Sequence, residues 1–208
     1  MIIKVCGMRD PENIMAVEQL EPDWMGFIFY PKSKRYVSDK EEKSMQAIRQ
    51  CSPKKVGVFV NAGTDEILEK AGIFELNILQ LHGEEPVSQC EVLKEKHFQI
   101  VKAFSIETID DLKLVHVYRD VVDYFLFDTK CEGYGGSGKQ FNWLILDKYK
   151  ENIPFLLSGG ISPDSISDLL QFQHPQLLGV DVNSGFEIDP ALKDIQKLKT
   201  FIKQLKKQ

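Results

Sequence analysis

DYFLFDTKCEGYGGSGKQF, residues 123–141, is the stretch from which the fold can be read. Tyr124, Phe125, Leu126 and Phe127 are bulky and partly aromatic, as in a strand, and the strand delivers a carboxylate, Asp128, at its last residue. Gly133, Gly135, Gly136 and Gly138 then fall within six residues. A helix or sheet interior does not accommodate such a run without cost, because each glycine adds backbone entropy that folding must remove. Residues 141–149 are again compatible with a helix. Strand, acid, glycine-rich loop and helix follow in the order in which a βα unit carries an active-site residue; a surface acid before a solvent loop is the plainer alternative.

The same unit recurs on both sides. Strands are expected at residues 2–6, 24–30, 55–61, 76–81, 98–104, 124–128, 155–157 and 177–182. Asp10-Pro11 and Ser162-Pro163 each offer an N-cap followed by proline at the first helical position, which starts helices running to about Leu20 and Phe172. Further helices are expected over 39–51, from Thr64, from Pro86, over 106–117, after Phe141 and over 190–206. Strands such as KVGVFV and LLGVDV are apolar on both faces, as strands between an inner core and an outer helix layer must be. Eight strand–helix pairs in 208 residues point to an α/β fold, a single (β/α)8 barrel spanning residues 1–208. A doubly wound sheet competes, but the first loop, CGMRD, lacks the glycine spacing of a dinucleotide turn.

Composition narrows the function. With 43% hydrophobic and 27% charged residues the chain reads as a globular protein, and a net charge of -5 argues against a nucleic-acid surface. Cys6, Cys51, Cys90 and Cys131 form no CxxC pair and read as thiols in a reducing compartment. No apolar run approaches the length of a membrane span or a signal peptide. The expectation is a cytoplasmic enzyme or binding protein with a small-molecule partner, neither nucleic acid nor membrane.

In a barrel, chemistry belongs at the C-terminal ends of the strands, where Cys6, Asp128 and Asp181 fall. Strand 1 pairs with strand 8 in a closed sheet, so Cys6 and Asp181 become spatial neighbours. Cys6 is either a packed core thiol or a reactive one. Ser158, Gly159 and Gly160 after strand 7, with Asn183, Ser184 and Gly185 after strand 8, form two adjacent glycine-bearing turns that can aim backbone N–H groups at one anion; tight turns without a ligand are the alternative. A short helical turn around 184–188 would complete that site. Arg35, ending PKSKR, can grip a carboxylate or belong to a solvated patch with Lys32 and Lys34. His82 in LQLHG is a base, a substrate contact or a polar loop residue. No HExxH, Walker loop or metal-ligand cluster is present in the sequence, and Lys102 and Lys130 do not suggest the enclosed lysine of a Schiff-base aldolase.

Seven pieces then fall into a familiar order: KVCGMRD (4–10), FYPKSKRYV (29–37), VGVFVN (56–61), LQLHG (79–83), FDTKCEGYGGSGKQFNW (127–143), LSGGI (157–161) and GVDVNSGFE (179–187). Together they make the chain resemble the phosphoribosylanthranilate isomerases, almost end to end. The resemblance implies an isomerase of tryptophan biosynthesis that acts on a phosphorylated substrate without metal or organic cofactor; monomer and homodimer are both compatible with the sequence. The resemblance further implies Cys6 as general base, Asp128 as general acid, Arg35 on the anthranilate carboxylate, and Asp181 near the sugar hydroxyls. The phosphate would lie on Ser158, Gly159, Gly160, Asn183, Ser184 and Gly185. Departures are Lys34 where the family usually has proline, FNW at 141–143 for FDW, NSG for SSG, and Pro190-Ala191 for a proline-glycine pair.

Overall fold

In a computed structural model, which describes residues 1–129 and 141–206, eight parallel strands close into a barrel in sequence order. They are β1 (Ile2–Val5), β2 (Trp24–Ile28), β3 (Lys54–Phe59), β4 (Ile78–Leu81), β5 (Gln99–Ile106), β6 (Tyr124–Thr129), β7 (Phe155–Leu157) and β8 (Leu177–Val182). β1 closes on β8 with Lys4 level with Asp181. The period-2 alternation of strand side chains divides the interior in two. Trp24, Val56, Ile78, Val101, Leu126 and Leu156 form one cluster that fills the lower lumen. Alternate residues such as Val5, Phe27, Leu79, Phe125 and Val180 join Ile14, Ile48, Ile67, Leu93 and Phe201 in the layer between sheet and helices. Each strand is therefore buried on both faces, and polar side chains of lumenal parity flank the apolar plug, Lys54 and Gln99 below it and Lys4, Gln80 and Asp181 above it.

The helices are α1 (Pro11–Glu18), α2 (Glu42–Gln50), α3 (Thr64–Phe74), α4 (Val87–Glu95), α5 (Ile166–Gln171) and α6 (Ile195–Leu205). The Asp10 side chain caps α1 by accepting from the Asn13 N–H at 2.8 Å, with Pro11 in the first turn. Among the described residues no helix is long and apolar enough to cross a membrane.

Three segments differ from the sequence expectation. β5 runs on to Ile106, and the next element is a 3-10 helix over Ile109–Tyr118 with a Thr108–Asp111 capping box. The segment after Phe141 is likewise a 3-10 helix, Trp143–Lys148. Both bury side chains three apart, Leu112 and Val115 in the first and Trp143 and Leu146 in the second, with Tyr149 following at its C-cap. A 3-10 helix repeats every three residues, so this spacing stacks the buried side chains in one row that faces the core. Thirdly, residues 190–194 are not helical: Glu187–Asp189 (β9) and Leu192–Lys193 (β10) form a hairpin, Ala191 takes φ +69° in its turn, and α6 starts only after Asp194, which caps it. The extra helical turn expected after β8 is present as a 3-10 turn, Ser184–Phe186. The glycine-rich loop, with Lys130 and Cys131, lies outside the described residues.

Candidate active site

A cavity open at the C-terminal rim of the barrel is lined by Cys6, Arg35, His82, Asp128, Ser158, Gly159, Gly160, Asp181, Asn183 and Ser184, with Tyr30, Ser33 and Gln80. All but one of the residues singled out in the sequence meet there. The exception is Gly185, which is not on the wall: a Cβ on it would stand 2.3 Å from the Ile161 carbonyl oxygen, so its lack of a side chain is what lets the β7 and β8 loops press together.

Cys6 follows β1, and its N–H still donates to the Val182 carbonyl, which fixes the thiol above β8. Gly26 of β2 gives it room, since a Cβ there would lie 2.7 Å from Sγ. Burial pushes the Cys6 thiol above its ordinary pKa; the Lys4 ammonium pulls it down and the Asp181 charge pushes it further up. Cys51 and Cys90, packed in the helix layer, are pushed by burial up to about 11. They are structural thiols away from the cavity.

Lys4 is the functional candidate that sequence reasoning missed. Fully buried and two residues before Cys6 on the same lumenal face, it donates to Gln80 Oε1 at 2.7 Å and forms a buried ion pair with Asp181 Oδ1 at 3.0 Å. Burial opposes the Lys4 charge, but Asp181 and Cys6 outweigh it and raise its pKa. The Asp181 carboxyl is raised by burial, with Lys4 opposing and Asp128 adding. Across the cavity, Asp128 Oδ1 accepts from the Thr129 N–H at 2.7 Å, and Oδ2 faces His82 Nε2 at 3.4 Å. Gly159, at φ +85°, lies so close that a Cβ would sit 2.8 Å from Asp128 Oδ1.

Arg35 is already engaged. Its Nε and Nη2 grip the Glu187 carboxylate at 2.8 and 2.5 Å, and Lys193 Nζ adds 2.6 Å to Glu187 and 2.7 Å to Asn183 Oδ1. Burial works against the Glu187 charge, yet Arg35 and Lys193 hold its carboxyl below the ordinary carboxylate range. Two cations meet one carboxylate in this cluster, burial lowering the Lys193 pKa against the pull of Glu187, and Glu187 occupies only one edge of the guanidinium fork. Arg35 is thus a structural ion-pair partner as well as a cavity residue, which its place in PKSKR did not reveal.

The turns after β7 and β8 meet as expected. Gly159 and Gly160 both have positive φ, and residues 163–165 and α5 begin immediately behind them. Ser158 differs in detail, because its hydroxyl is turned towards Asp181 Oδ2 at 3.5 Å. Lys102 also departs from expectation. It is enclosed, pairing with Glu85 at 3.1 Å, but it lies on the outer face of β5 beneath the β4–α4 loop and away from the cavity. Among the described residues no group of three or more His, Cys, Asp or Glu is placed to hold a metal ion.

The fold and the cavity define the class: a (β/α)8 barrel whose thiol, carboxyl and imidazole groups gather at the C-terminal rim. Residues 3–204 match the family described as N-(5'phosphoribosyl)anthranilate (PRA) isomerase, and the chain belongs to that family. It is 55% identical over 208 residues to the N-(5'-phosphoribosyl)anthranilate isomerase of Phocaeicola vulgatus, covering 100% of this chain and 99% of the relative. Phosphoribosyl anthranilate isomerase from Thermotoga maritima superposes with a TM-score of 0.87 at 34% identity over 100% of both chains. A phosphoribosyl anthranilate isomerase in complex with reduced 1-(o-carboxyphenylamino)-1-deoxyribulose 5-phosphate gives 0.83 at 32%, again over 100% of both.

Proposed function

We propose that the barrel converts N-(5'-phosphoribosyl)anthranilate into 1-(2-carboxyphenylamino)-1-deoxyribulose 5-phosphate, an Amadori rearrangement in tryptophan biosynthesis, with Asp128 as acid and Cys6 as base. The observation that carries this reading is the gathering of Cys6, Asp128 and Arg35 around one cavity at the C-terminal rim in a chain that belongs to the isomerase family.

The chemistry matches the groups. Asp128 gives a proton to the ribose ring oxygen, the bond from C1 to that oxygen breaks, and the amine lone pair forms an iminium. Cys6, as thiolate, removes the proton from C2; the C–H electrons become the C1–C2 double bond and the iminium electrons return to nitrogen. Protonation at C1 and loss of the C2 hydroxyl proton then give the ketone. The iminium makes the C2 proton acidic, so a base of moderate strength suffices. Acid and base come from β6 and β1, and holding the substrate at both ends fixes it between them. Arg35 takes the anthranilate carboxylate with the part of its fork that Glu187 leaves open. The phosphate lies on the backbone of the β7 and β8 turns, at Gly159, Gly160, Asn183 and Ser184, while Asp181 faces the sugar and His82 supports Asp128. The enzyme works in the cytoplasm as a monomer or homodimer.

The test is turnover of substrate deuterated at ribose C2. Wild type shows a primary isotope effect under chemistry-limited conditions, and Cys6→Ala and Asp128→Asn each lose on the order of 10² to 10⁴ in kcat/KM. Unchanged turnover after replacement of Cys6 would leave it a core thiol and pass the proton abstraction to another group, Asp181 first.

A further inference from the structure

Resting on that reading, Cys6 poses a difficulty: burial holds it as the thiol, whereas a base must be a thiolate. The charged groups that act on it come from four elements: Lys4 from β1, Asp181 from β8, Lys193 from the β9–β10 hairpin, and Arg35 from the loop after β2. Lys193 and Arg35 are both committed to Glu187. Lys4 is the lumenal cation on the same strand, two residues below the thiol, where strand periodicity puts both side chains on one face.

Lys4 also reaches the other side of the cavity. An ammonium only donates, so the Gln80 atom that receives it at 2.7 Å is the carbonyl oxygen. That turns the Gln80 NH2 group towards His82 Nδ1, 2.8 Å away, and makes Nδ1 the acceptor. The proton of the neutral ring then sits on Nε2, which faces Asp128 Oδ2 at 3.4 Å. A donor aimed at Asp128 stabilises the carboxylate left after proton transfer.

We propose that Lys4 is the positioning residue that couples the two catalytic groups, holding the Cys6 thiolate by direct charge and fixing His82, through Gln80, as the Nε2–H tautomer that faces Asp128. Asp181 is its counter-charge: in the resting protein it shares the ammonium and adds to the burial that keeps the thiol protonated.

The test reads both arms in substrate-free protein, so it stands or falls separately from the assignment of Cys6 as base, which the isotope experiment judges. The titration of Cys6 is followed by its ultraviolet thiolate absorbance, taken as the difference from Cys6→Ser. His82 is followed by nitrogen NMR, with His82→Gln to identify its signals. Lys4→Met moves the Cys6 titration to higher pH, by at least tenfold in proton affinity, and His82 loses its single tautomer. Asp181→Asn moves the Cys6 titration the opposite way, a pair of signs that a packing defect does not produce. Gln80→Leu disturbs His82 and leaves the Cys6 titration in place. Lys4→Arg keeps the charge and restores part of the kcat/KM that Lys4→Met loses, and the basic limb of the pH profile moves with the thiol. A folded Lys4→Met with an unmoved thiol titration or an unmoved His82 tautomer overturns the proposal. If Lys4→Met does not fold, an Asp181→Asn protein whose thiol titrates as in wild type, or rises, overturns it equally.

Discussion

Gly26→Ala is the smallest change that tests whether the Cys6 sulfur must stand where it does. The new methyl would be 2.7 Å from Sγ, 3.1 Å from the Cys6 Cα and 3.1 Å from Lys4 Cε. Ordinary carbon contacts lie at about 3.5–4.0 Å, so the sulfur must retreat by roughly 1 Å or the β1–β2 pair must part. Overpacking of this kind costs about 1–3 kcal/mol against a total stability of about 5–15 kcal/mol, so the protein stays folded with Tm lowered by roughly 2–12 °C. A catalytic group displaced by about 1 Å costs on the order of 10² in rate. Gly57→Ala is the control. Its methyl would meet Leu76 Cδ1 at 2.3 Å and Phe59 Cε2 at 2.8 Å in the helix layer, so it should lose stability but keep kcat. Steady-state kinetics and thermal unfolding of both proteins decide the matter. If Gly26→Ala keeps kcat/KM within about twofold of wild type while its Tm falls, the position of Sγ does not limit the reaction and the reasoning fails.

The rim residues were legible because strand ends are legible. Asp128 closes an aromatic strand, Cys6 follows an apolar one, and closure of the barrel puts β1 beside β8 whatever the intervening sequence. What stayed hidden were partners joined only by the closed fold. Lys4 sits inside IIKVC, where a charge in an apolar strand at the parity of Cys6 signals a buried ion pair, and the β1–β8 neighbourhood already pointed to Asp181. Glu187 and Lys193 carried no comparable signal, because the sequence reads as a short helical turn around 184–188 followed by a proline-led helix from Pro190 until Ala191 is seen to turn the chain. The two 3-10 helices were hidden differently: their apolar spacing of three is compatible with one face of an α-helix, and the core, not local propensity, selects between them.

The remaining predictions concern the rim. Arg35→Ala removes a charge-assisted grip worth about 2–4 kcal/mol, so KM should rise about 30- to 1000-fold with a smaller change in kcat; because Arg35 also holds Glu187, Tm should fall too, and an unchanged KM refutes the carboxylate assignment. Inorganic phosphate or sulfate should inhibit competitively by occupying the backbone turns at Gly160 and Ser184; noncompetitive inhibition places the anion elsewhere. Glu187→Gln tests the ion-pair cluster by its pH dependence. Glu187 is pushed up by burial but held below the ordinary range by Arg35 and Lys193. A depressed carboxyl contributes stability that is fully present above its unfolded pKa, about 4.3, and is lost as pH falls through the lower folded value. The side chain is 7% exposed, and removing one partner of a buried pair costs about 3–5 kcal/mol. Denaturant midpoints should therefore separate wild type from Glu187→Gln by that amount at pH near 7, and the gap should narrow as pH falls below about 4, because wild type alone binds the extra proton on unfolding. A gap that stays constant down to about pH 2 would mean that the Glu187 charge does not stabilise the fold, and that its role is confined to the shape of the rim.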